Sequence, residues 1–363
     1  MTNVYLKRVM TALLLLAVHY FGLQASEPFR IAVAGVTHDH LGGVVSELSQ
    51  GDIQVVGVWE SDARFLHDNA LAGIIPSECF YSDLARMLDE TRPEAVVAFG
   101  SIREHLAVVR ACAPRGIHVM VEKPLATRYK DAKKMAALAR KHGILLLTNY
   151  ETTWYASNHS VKKSVEAGTL GPVYRIEVYD GHPGPIEIGC SKKFTDWLCD
   201  PVLDGGGAVM DFGCYGANLA TWLLDGRRPD CVYAVLQHNK PEVYPRVDDD
   251  ATIVLSYPGT TVQVNASWCW PYHRKDMFVY GKDGFLYQAD PTRVSNIPGG
   301  PLAETPALEV PYDNPFRFLA GAVRGEISVA PTDPSSLENN LIVVEILTAA
   351  VRSARTGRPV RLK

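Results

Sequence analysis

From Arg30 onward, short and largely apolar stretches alternate with stretches of helical spacing, and no other feature limits the fold as strongly. Ile31 to Ala34, Ile53 to Trp59, Ala95 to Phe99, His118 to Val121 and Ile144 to Thr148 read as five strands. Leu41 to Leu48, Leu84 to Leu88, His105 to Cys112 and Asp131 to His142 read as the helices between them. A strand with one face in water alternates apolar and polar residues. A strand that is apolar along its length must be covered on both faces, and helical crossovers do this to a parallel sheet. The expectation is a doubly wound, Rossmann-type α/β unit over residues 29–150.

After Tyr150 the pattern changes. Thr153 to Ala167 reads as a helix closed by Gly168, and Val173 to Asp180 alternates like a half-buried strand. A loop rich in Gly, Pro and Asp runs to Gly207, and Ala208 to Leu224 reads as one helix. Cys231–Gln237, Ala251–Tyr257, Thr261–Trp268, Met277–Tyr280 and Phe285–Gln288 follow as strands, with tight turns at Pro258-Gly259 and Asp283-Gly284. Such spacing builds an antiparallel sheet. Phe316 to Val323 and Leu337 to Ala354 close the chain as helices. Residues 151–363 are therefore expected to form an α+β unit with a large, open, mostly antiparallel sheet for substrate binding and oligomerisation.

The first 25 residues belong to neither unit. Lys7-Arg8 precede the apolar run Val9 to Leu23, and Gln24-Ala25-Ser26 offers a small-residue cleavage point. This is the layout of a secretory signal peptide. The run is shorter than the about 20 residues a membrane span needs. The expectation is an exported protein, periplasmic or secreted, with no membrane segment in its mature form. The net charge of -4 offers no basic surface for nucleic acid. Seven cysteines at loose spacing form neither a disulfide framework nor a C-x-x-C metal motif, although Cys190 and Cys199 flank one loop and can pair.

Three stretches carry chemistry. The first turn reads Gly35-Val36-Thr37-His38-Asp39-His40-Leu41-Gly42-Gly43. Gly35 suits the sharp bend of a dinucleotide turn, but Thr37 and His40 stand where later glycines of G-x-G-x-x-G would be. Thr37, His38 and His40 are expected on the cofactor side. His38 and His40 lack a third nearby ligand in the sequence, so no metal is expected. Glu60 ends the second strand about 20 residues on, where a carboxylate meets the adenosine ribose and disfavours a 2′-phosphate. It favours NAD, while Arg64 leaves room for NADP. Glu122-Lys123-Pro124 follows the fourth strand at the end where such sheets bind ligands. There Lys123 can donate to the oxygen of an alcohol or ketone. Its ordinary pKa of about 10.4 means that catalysis needs a shifted value or a proton partner.

Glu122-Lys123-Pro124, Gly205-Gly206-Gly207-Ala208-Val209-Met210-Asp211-Phe212-Gly213-Cys214-Tyr215 and Ala349-Ala350-Val351-Arg352-Ser353-Ala354-Arg355-Thr356-Gly357 occur in order across residues 30–363. In these motifs the chain resembles the Gfo/Idh/MocA oxidoreductases, most closely the Tyr-bearing branch of glucose–fructose oxidoreductase and dihydrodiol dehydrogenase. The resemblance implies that Lys123 is the active-site lysine, that Asp211 orients it or a sugar hydroxyl, and that Tyr215 shuttles a proton. A neighbouring ammonium would lower the cost of a Tyr215 phenolate. The resemblance also places the Gly181–Leu203 loop, with His182 and Trp197, beside the sugar. Asn149 and Tyr150 follow the fifth strand and are expected to touch nicotinamide or substrate.

The function expected from these residues is hydride transfer between a nicotinamide cofactor, NAD or NADP, and a secondary hydroxyl or ketone of a sugar or glycoside. Free NAD is scarce outside the cytoplasm, so export favours a tightly held cofactor. Two alternatives are a redox-neutral NAD-dependent glycoside hydrolase or lyase, and an exported sugar-binding protein with a degenerate site. The resemblance further implies a homo-oligomer paired through the open face of the second sheet.

Overall fold

The computed structural model describes residues 27–362, so the expected signal peptide lies outside the described residues. The first unit is a six-stranded sheet of β1 (Phe29–Ala34), β2 (Ile53–Trp59), β3 (Phe80–Tyr81), β4 (Ala95–Ala98), β5 (His118–Glu122) and β6 (Leu146–Asn149). Its spatial order is β3-β2-β1-β4-β5-β6, and every neighbouring pair is parallel. The order reverses beside β1, which creates the crevice where such sheets take their ligands. Burial follows the composition: all four residues of β4 are buried, as are five of six in β1. The short edge strand β3 went unread because two residues carry no periodicity.

The second unit is a nine-stranded sheet. Its strands are β7 (Val173–Gly181), β8 (Cys231–Gln237), β9 (Asp250–Tyr257), β10 (Thr260–Ser267), β11 (Arg274–Gly281), β12 (Phe285–Gln288), β13 (Arg293–Ser295), β14 (Ala303–Glu304) and β15 (Val360–Arg361). The order is β14-β13-β12-β11-β7-β10-β9-β8-β15. Among the described residues only β7 and β10 of this sheet pair in parallel. Alternation in β7 sends Ile176, Val178 and Asp180 to the inner face and Arg175, Glu177 and Tyr179 to the outer face. The inner face packs on the helices Gly213–Leu223 and Leu337–Thr356, and every residue of the former is buried. The outer face carries an aromatic ladder in which Phe278 stacks on Tyr287 at 4.4 Å, with Tyr280 and Phe285 beside them.

The two units are not divided as simply as the 29–150 and 151–363 boundaries imply. Helix Pro315–Val323 returns to the first unit, where Phe316, Phe318 and Leu319 pack with Ile31 and Val33 of β1. Helix Leu337–Thr356 serves both cores, with Leu337 and Val344 in one and Val343, Ile346 and Leu347 in the other. The last stretch of chain thus ties the units together. Among the described residues no helix is long and apolar enough to cross a membrane.

Two further differences bear on the site. The stretch 208–224 is two helices, Ala208–Asp211 and Gly213–Leu223, broken at Phe212. The loop after β7 contains a helix, Lys192–Leu198, capped by the Ser191 hydroxyl, which accepts from the Phe194 N–H. This helix has only seven residues, too short for a periodic signal among its glycine and proline neighbours.

Candidate active site

Lys123 leaves the carboxyl end of β5 and meets Asp211 at the end of helix Ala208–Asp211. The glycine run before that helix explains how Asp211 is held. The N–H groups of Gly207 and Val209 donate to the two oxygens of Asp248 at 3.0 and 2.7 Å, fixing the helix start. A Cβ on Gly207 would lie 1.9 Å from the Asp248 carbonyl oxygen, so no larger residue fits.

Lys123 and Asp211 form a buried ion pair: Nζ donates to Oδ1, and the other oxygen, Oδ2, accepts from Trp268 Nε1 at 2.9 Å. Trp268 therefore does more than pack in the sheet: it orients the carboxylate. Burial works most strongly against the Lys123 ammonium, but the charge and hydrogen bond of Asp211, together with nearby Cys214 and Glu122, outweigh it and raise the lysine pKa. Burial likewise works against the Asp211 carboxylate, and Lys123 and Trp268 hold its pKa below the usual range. At neutral pH the pair is charged, and Lys123 is a proton donor.

Tyr215 lies one helical turn beyond Asp211, across the break at Phe212. Its ring sits 5.3 Å from Lys123 Nζ and 4.4 Å from Lys275 Nζ. The expected ease of phenolate formation is not what the surroundings produce. Burial first, then the nearby carboxylates of Glu151, Asp180 and Asp211, push the Tyr215 pKa well up. Tyr215 is a neutral hydroxyl, able to donate to an oxygen in the cavity.

Lys123, Asp211 and Tyr215 line one cavity of about 470 Å³ with His182, Asp180 and Lys275. The His182 Nδ1 accepts from the Gly184 N–H at 2.9 Å, and burial lowers its pKa to about 4. Its neutral ring therefore carries the proton on Nε2. Other expected substrate contacts fall elsewhere. Tyr150 is fully buried and packs edge-on against the Tyr215 ring at 5.4 Å, outside the cavity lining, because the chain after β6 turns it into the core. Asn149 donates to Glu122 Oε1 at 2.8 Å and accepts from Trp154 Nε1 at 3.0 Å, a bracing role. Trp197 is buried 5.5 Å from the His38 ring, because its helix lies over the first turn rather than along the cavity.

The first turn has a mixed fit to a dinucleotide. Gly35 has φ +84°, and a Cβ there would lie 2.4 Å from the Gly100 nitrogen, so the bend requires glycine. Glu60 sits at the end of β2, its oxygens accepting from the N–H groups of Val36 at 3.0 Å and Asp62 at 2.9 Å. Arg64 is drawn aside by Asp62. At the other end His40 borders the cavity beside Lys123. Between these ends the backbone donors are engaged within the protein. The N–H groups of Thr37 and His38 donate to the Phe99 carbonyl, and that of His40 to His38 Nδ1. Helix Lys192–Leu198 covers this segment, with Phe194 4.6 Å from the His38 ring and Ser191 donating twice to Asp39. The residues fit the adenosine and nicotinamide ends, and the crossing between them is held shut by a strap from the second unit. His38 Nε2, buried and without a hydrogen-bond partner among the described residues, marks the polar capacity left at that crossing.

Ligand atoms of His38, His40 and Glu122 lie within 4.8 Å of one another. The His40 N–H bond into His38 Nδ1 leaves the ring proton on Nε2 in the neutral tautomer, which denies a metal that lone pair. Glu122 is satisfied without one, by His40 Nδ1 at 2.9 Å and Asn149. The cluster reads as a hydrogen-bonded brace for the residue preceding Lys123.

Sequence reasoning missed Asp180, Lys275, Glu151 and Tyr155 on the far wall of the cavity. Lys275 Nζ donates to Glu151 Oε2 at 2.6 Å, and Tyr155 donates to the other oxygen of Glu151. The signal available was weak: an Asp on the apolar phase of strand β7, and a Lys in a His-Arg-Lys-Asp run that resembles any solvated loop.

Two family models match the chain. One, described as an oxidoreductase family with an NAD-binding Rossmann fold, covers residues 29–150; the other, the GFO/IDH/MocA C-terminal domain, covers residues 159–287. Trans-1,2-dihydrobenzene-1,2-diol dehydrogenase of Bos taurus is 25% identical over 232 residues, 63% of this chain and 64% of that protein. An uncharacterized oxidoreductase of Schizosaccharomyces pombe is 28% identical over 210 residues, 57% of this chain and 53% of that protein. The chain thus spans less than two thirds of the length of these curated relatives. The solved aldose-aldose oxidoreductase of Caulobacter crescentus, complexed with glycerol, aligns with a TM-score of 0.75 at 22% identity, covering 92% of this chain and 100% of that one. An inositol dehydrogenase homolog of Azotobacter vinelandii, complexed with NAD+, aligns with a TM-score of 0.79 at 18% identity, covering 93% and 98%.

Proposed function

We propose that this chain, which belongs to the Gfo/Idh/MocA oxidoreductase family, moves hydride between NAD and a secondary hydroxyl or ketone carbon of a sugar or glycoside. The observation that carries this reading is the buried Lys123–Asp211 pair opening on a cavity with a neutral Tyr215 and a neutral His182. A buried ion pair is a poor source of stability, and a cavity that served only to hold sugar would have no need of one. At a carbonyl or hydroxyl oxygen the same pair supplies a fixed proton donor.

Glu60 would hold the adenosine end of the cofactor, and His40 and Lys123, braced by Glu122, would border its nicotinamide end. When bound, the cofactor supplies a hydride acceptor or donor. The Lys123 ammonium, kept charged by Asp211, donates to the substrate oxygen and stabilises the negative charge that develops on it during either direction of transfer. Tyr215, raised in pKa, adds a second donor, a neutral hydroxyl, to that oxygen. His182 offers its Nε2–H to another hydroxyl. Since Lys123 rests protonated, the empty site is set to protonate a carbonyl, and oxidation of an alcohol must first pass a proton out of the pair.

The Glu60 carboxylate at the ribose position favours NAD over NADP. The Ser191–Asp39 strap must open to admit the dinucleotide, and by closing again over it would slow its release, in keeping with the exported location proposed for this chain. The exposed Tyr233 and Val235 on the outer phase of β8 support a homo-oligomer through that face; a monomer in sedimentation at micromolar concentration contradicts it. Export rests on residues 1–25, and an intact mass starting near Ser26 is its test. The function itself is tested with a panel of aldoses, inositols and glycosides added to holoprotein: reduction of bound NAD by at least one, lost in Lys123→Met with NAD still bound, supports it. NAD that no member of the panel reduces rejects it.

A further inference from the structure

One group in the cavity has no use in the hydride and proton steps. Asp180 sits near the end of β7 on the inner, apolar phase of the strand, and only 2% of it is exposed. Among the described residues neither of its carboxyl oxygens has a hydrogen-bond partner. The nearest cation, Lys275 Nζ, stands 3.8 Å away, beyond hydrogen-bond reach, and gives its short bond to Glu151 instead. Every other carboxylate on the reacting wall is engaged: Asp211 by Lys123 and Trp268, Glu151 by Lys275 and Tyr155.

A buried carboxyl with two free oxygens is costly unless a ligand supplies what the protein does not. The cost is reduced in the empty cavity by keeping the group neutral. Burial, which Lys275 offsets only in part, raises its pKa to about 8. A neutral carboxyl offers one donor and one strong acceptor side by side. Its complement is a pair of neighbouring hydroxyls, one accepting and one donating. Asp180 lines the same cavity as Lys123 and Tyr215, so these hydroxyls belong to the same molecule as the reacting carbon.

We propose that Asp180 is a specificity-determining residue that takes two neighbouring hydroxyls of the substrate away from the reacting carbon, and so selects a polyhydroxylated ring over a hydrocarbon diol. This rests on the function proposed above and narrows it. The curated relatives include a dehydrogenase named for a hydrocarbon diol, whereas solved structures of the same fold include proteins named for aldoses and inositol. A hydrocarbon diol has no hydroxyls beyond the reacting pair and would leave both Asp180 oxygens bare.

The test compares holoprotein with Asp180→Asn and Asp180→Leu variants on two substrate sets: aldoses and inositols, and trans-1,2-dihydrobenzene-1,2-diol. The wild type is expected to prefer the polyols. Asp180→Leu is expected to raise KM for polyols about 10- to 100-fold with a smaller change in kcat, and to leave the diol unchanged. Asp180→Asn, which keeps a donor and an acceptor, is expected to recover part of that loss. Thermal unfolding separates recognition from scaffolding: removing an unpartnered buried carboxyl should leave the midpoint unchanged or raise it, whereas a structural residue would lower it. Variants that change both substrate sets equally, a wild type that prefers the diol, or a lowered midpoint overturn the proposal while the oxidoreductase reading stands. Reduction of bound NAD by neither set removes both.

Discussion

Lys123→Met and Asp211→Asn make the most informative pair of variants, because each removes one half of a buried ion pair. Among the described residues neither partner makes a second ion pair: Asp211 Oδ2 is bound to neutral Trp268, and Lys123 otherwise donates to the Asp211 carbonyl oxygen, at 3.3 Å, with Glu122 near it only as an unbonded charge. Leaving one buried charge unpaired costs about 3–5 kcal/mol. With about 2–4 °C per kcal/mol for chains of 150–250 residues, and less for longer ones, each single variant should lose at most about 6–20 °C of thermal midpoint. The double variant removes both charges and should be more stable than either single one, so the two effects are strongly non-additive. The pH dependence has a definite sign. In the wild type the folded lysine pKa is raised, so its contribution is complete below the unfolded value of about 10.4 and is lost only as pH rises through the folded value. In Asp211→Asn the buried ammonium has no partner, so burial drives its pKa below 10.4 and stability rises with pH toward that value. The gap between wild type and Asp211→Asn should therefore narrow between pH 7 and about pH 10. Denaturant titrations of all four proteins at several pH values measure it. Additive single effects, or a gap constant with pH, would refute the claim that this is a coupled, charged pair.

Three further outcomes follow from the site. The raised Lys123 pKa should make alcohol oxidation speed up with pH across the whole neutral and mildly alkaline range, while ketone reduction stays flat there; steady-state rates in both directions check this, and the reverse pattern contradicts it. Glu60→Ala should weaken NAD about tenfold and narrow its advantage over NADP, measured by titrating emptied protein with each dinucleotide. Asp39→Ala breaks both strap bonds from Ser191 and should speed exchange of bound NAD about 10- to 100-fold, read by displacement with labelled NAD; unchanged exchange would mean the strap does not hold the cofactor.

Much of this fold is legible in the sequence because its strongest constraint is local. A strand buried on both faces must be apolar throughout, so β1, β2, β4, β5 and β6 stand out, and the helices between them follow. The second sheet is legible through alternation and turns, and its one parallel pair, β7 with β10, is not, since direction of pairing leaves no trace in a strand's own residues. Lys123, Asp211 and Tyr215 were found through motif resemblance, and the structure gathers them at one cavity. The electrostatics of Tyr215 are not legible, because the lysine is near in motif order while burial and the carboxylates of Glu151 and Asp180 come from distant parts of the chain. Trp197 is assigned to the sugar through the resemblance of its loop and Tyr150 through its place after the fifth strand, and only packing decides which way such rings turn. Asp180 was hidden for the same reason: its burial depends on β10 and β11, which flank it in the sheet.

The most direct measurement is of the nicotinamide itself. Protein purified without added cofactor is denatured and the released dinucleotide identified by mass spectrometry, and a second portion is mixed with polyols while nicotinamide absorbance is followed. The expected result is NAD rather than NADP in near-stoichiometric amount, converted to its reduced form by a polyol in the wild type and not in Lys123→Met. Protein that neither carries nor binds a dinucleotide, or that binds NAD and reduces it equally with Met at position 123, would contradict the assignment of Lys123 and its cavity to hydride transfer.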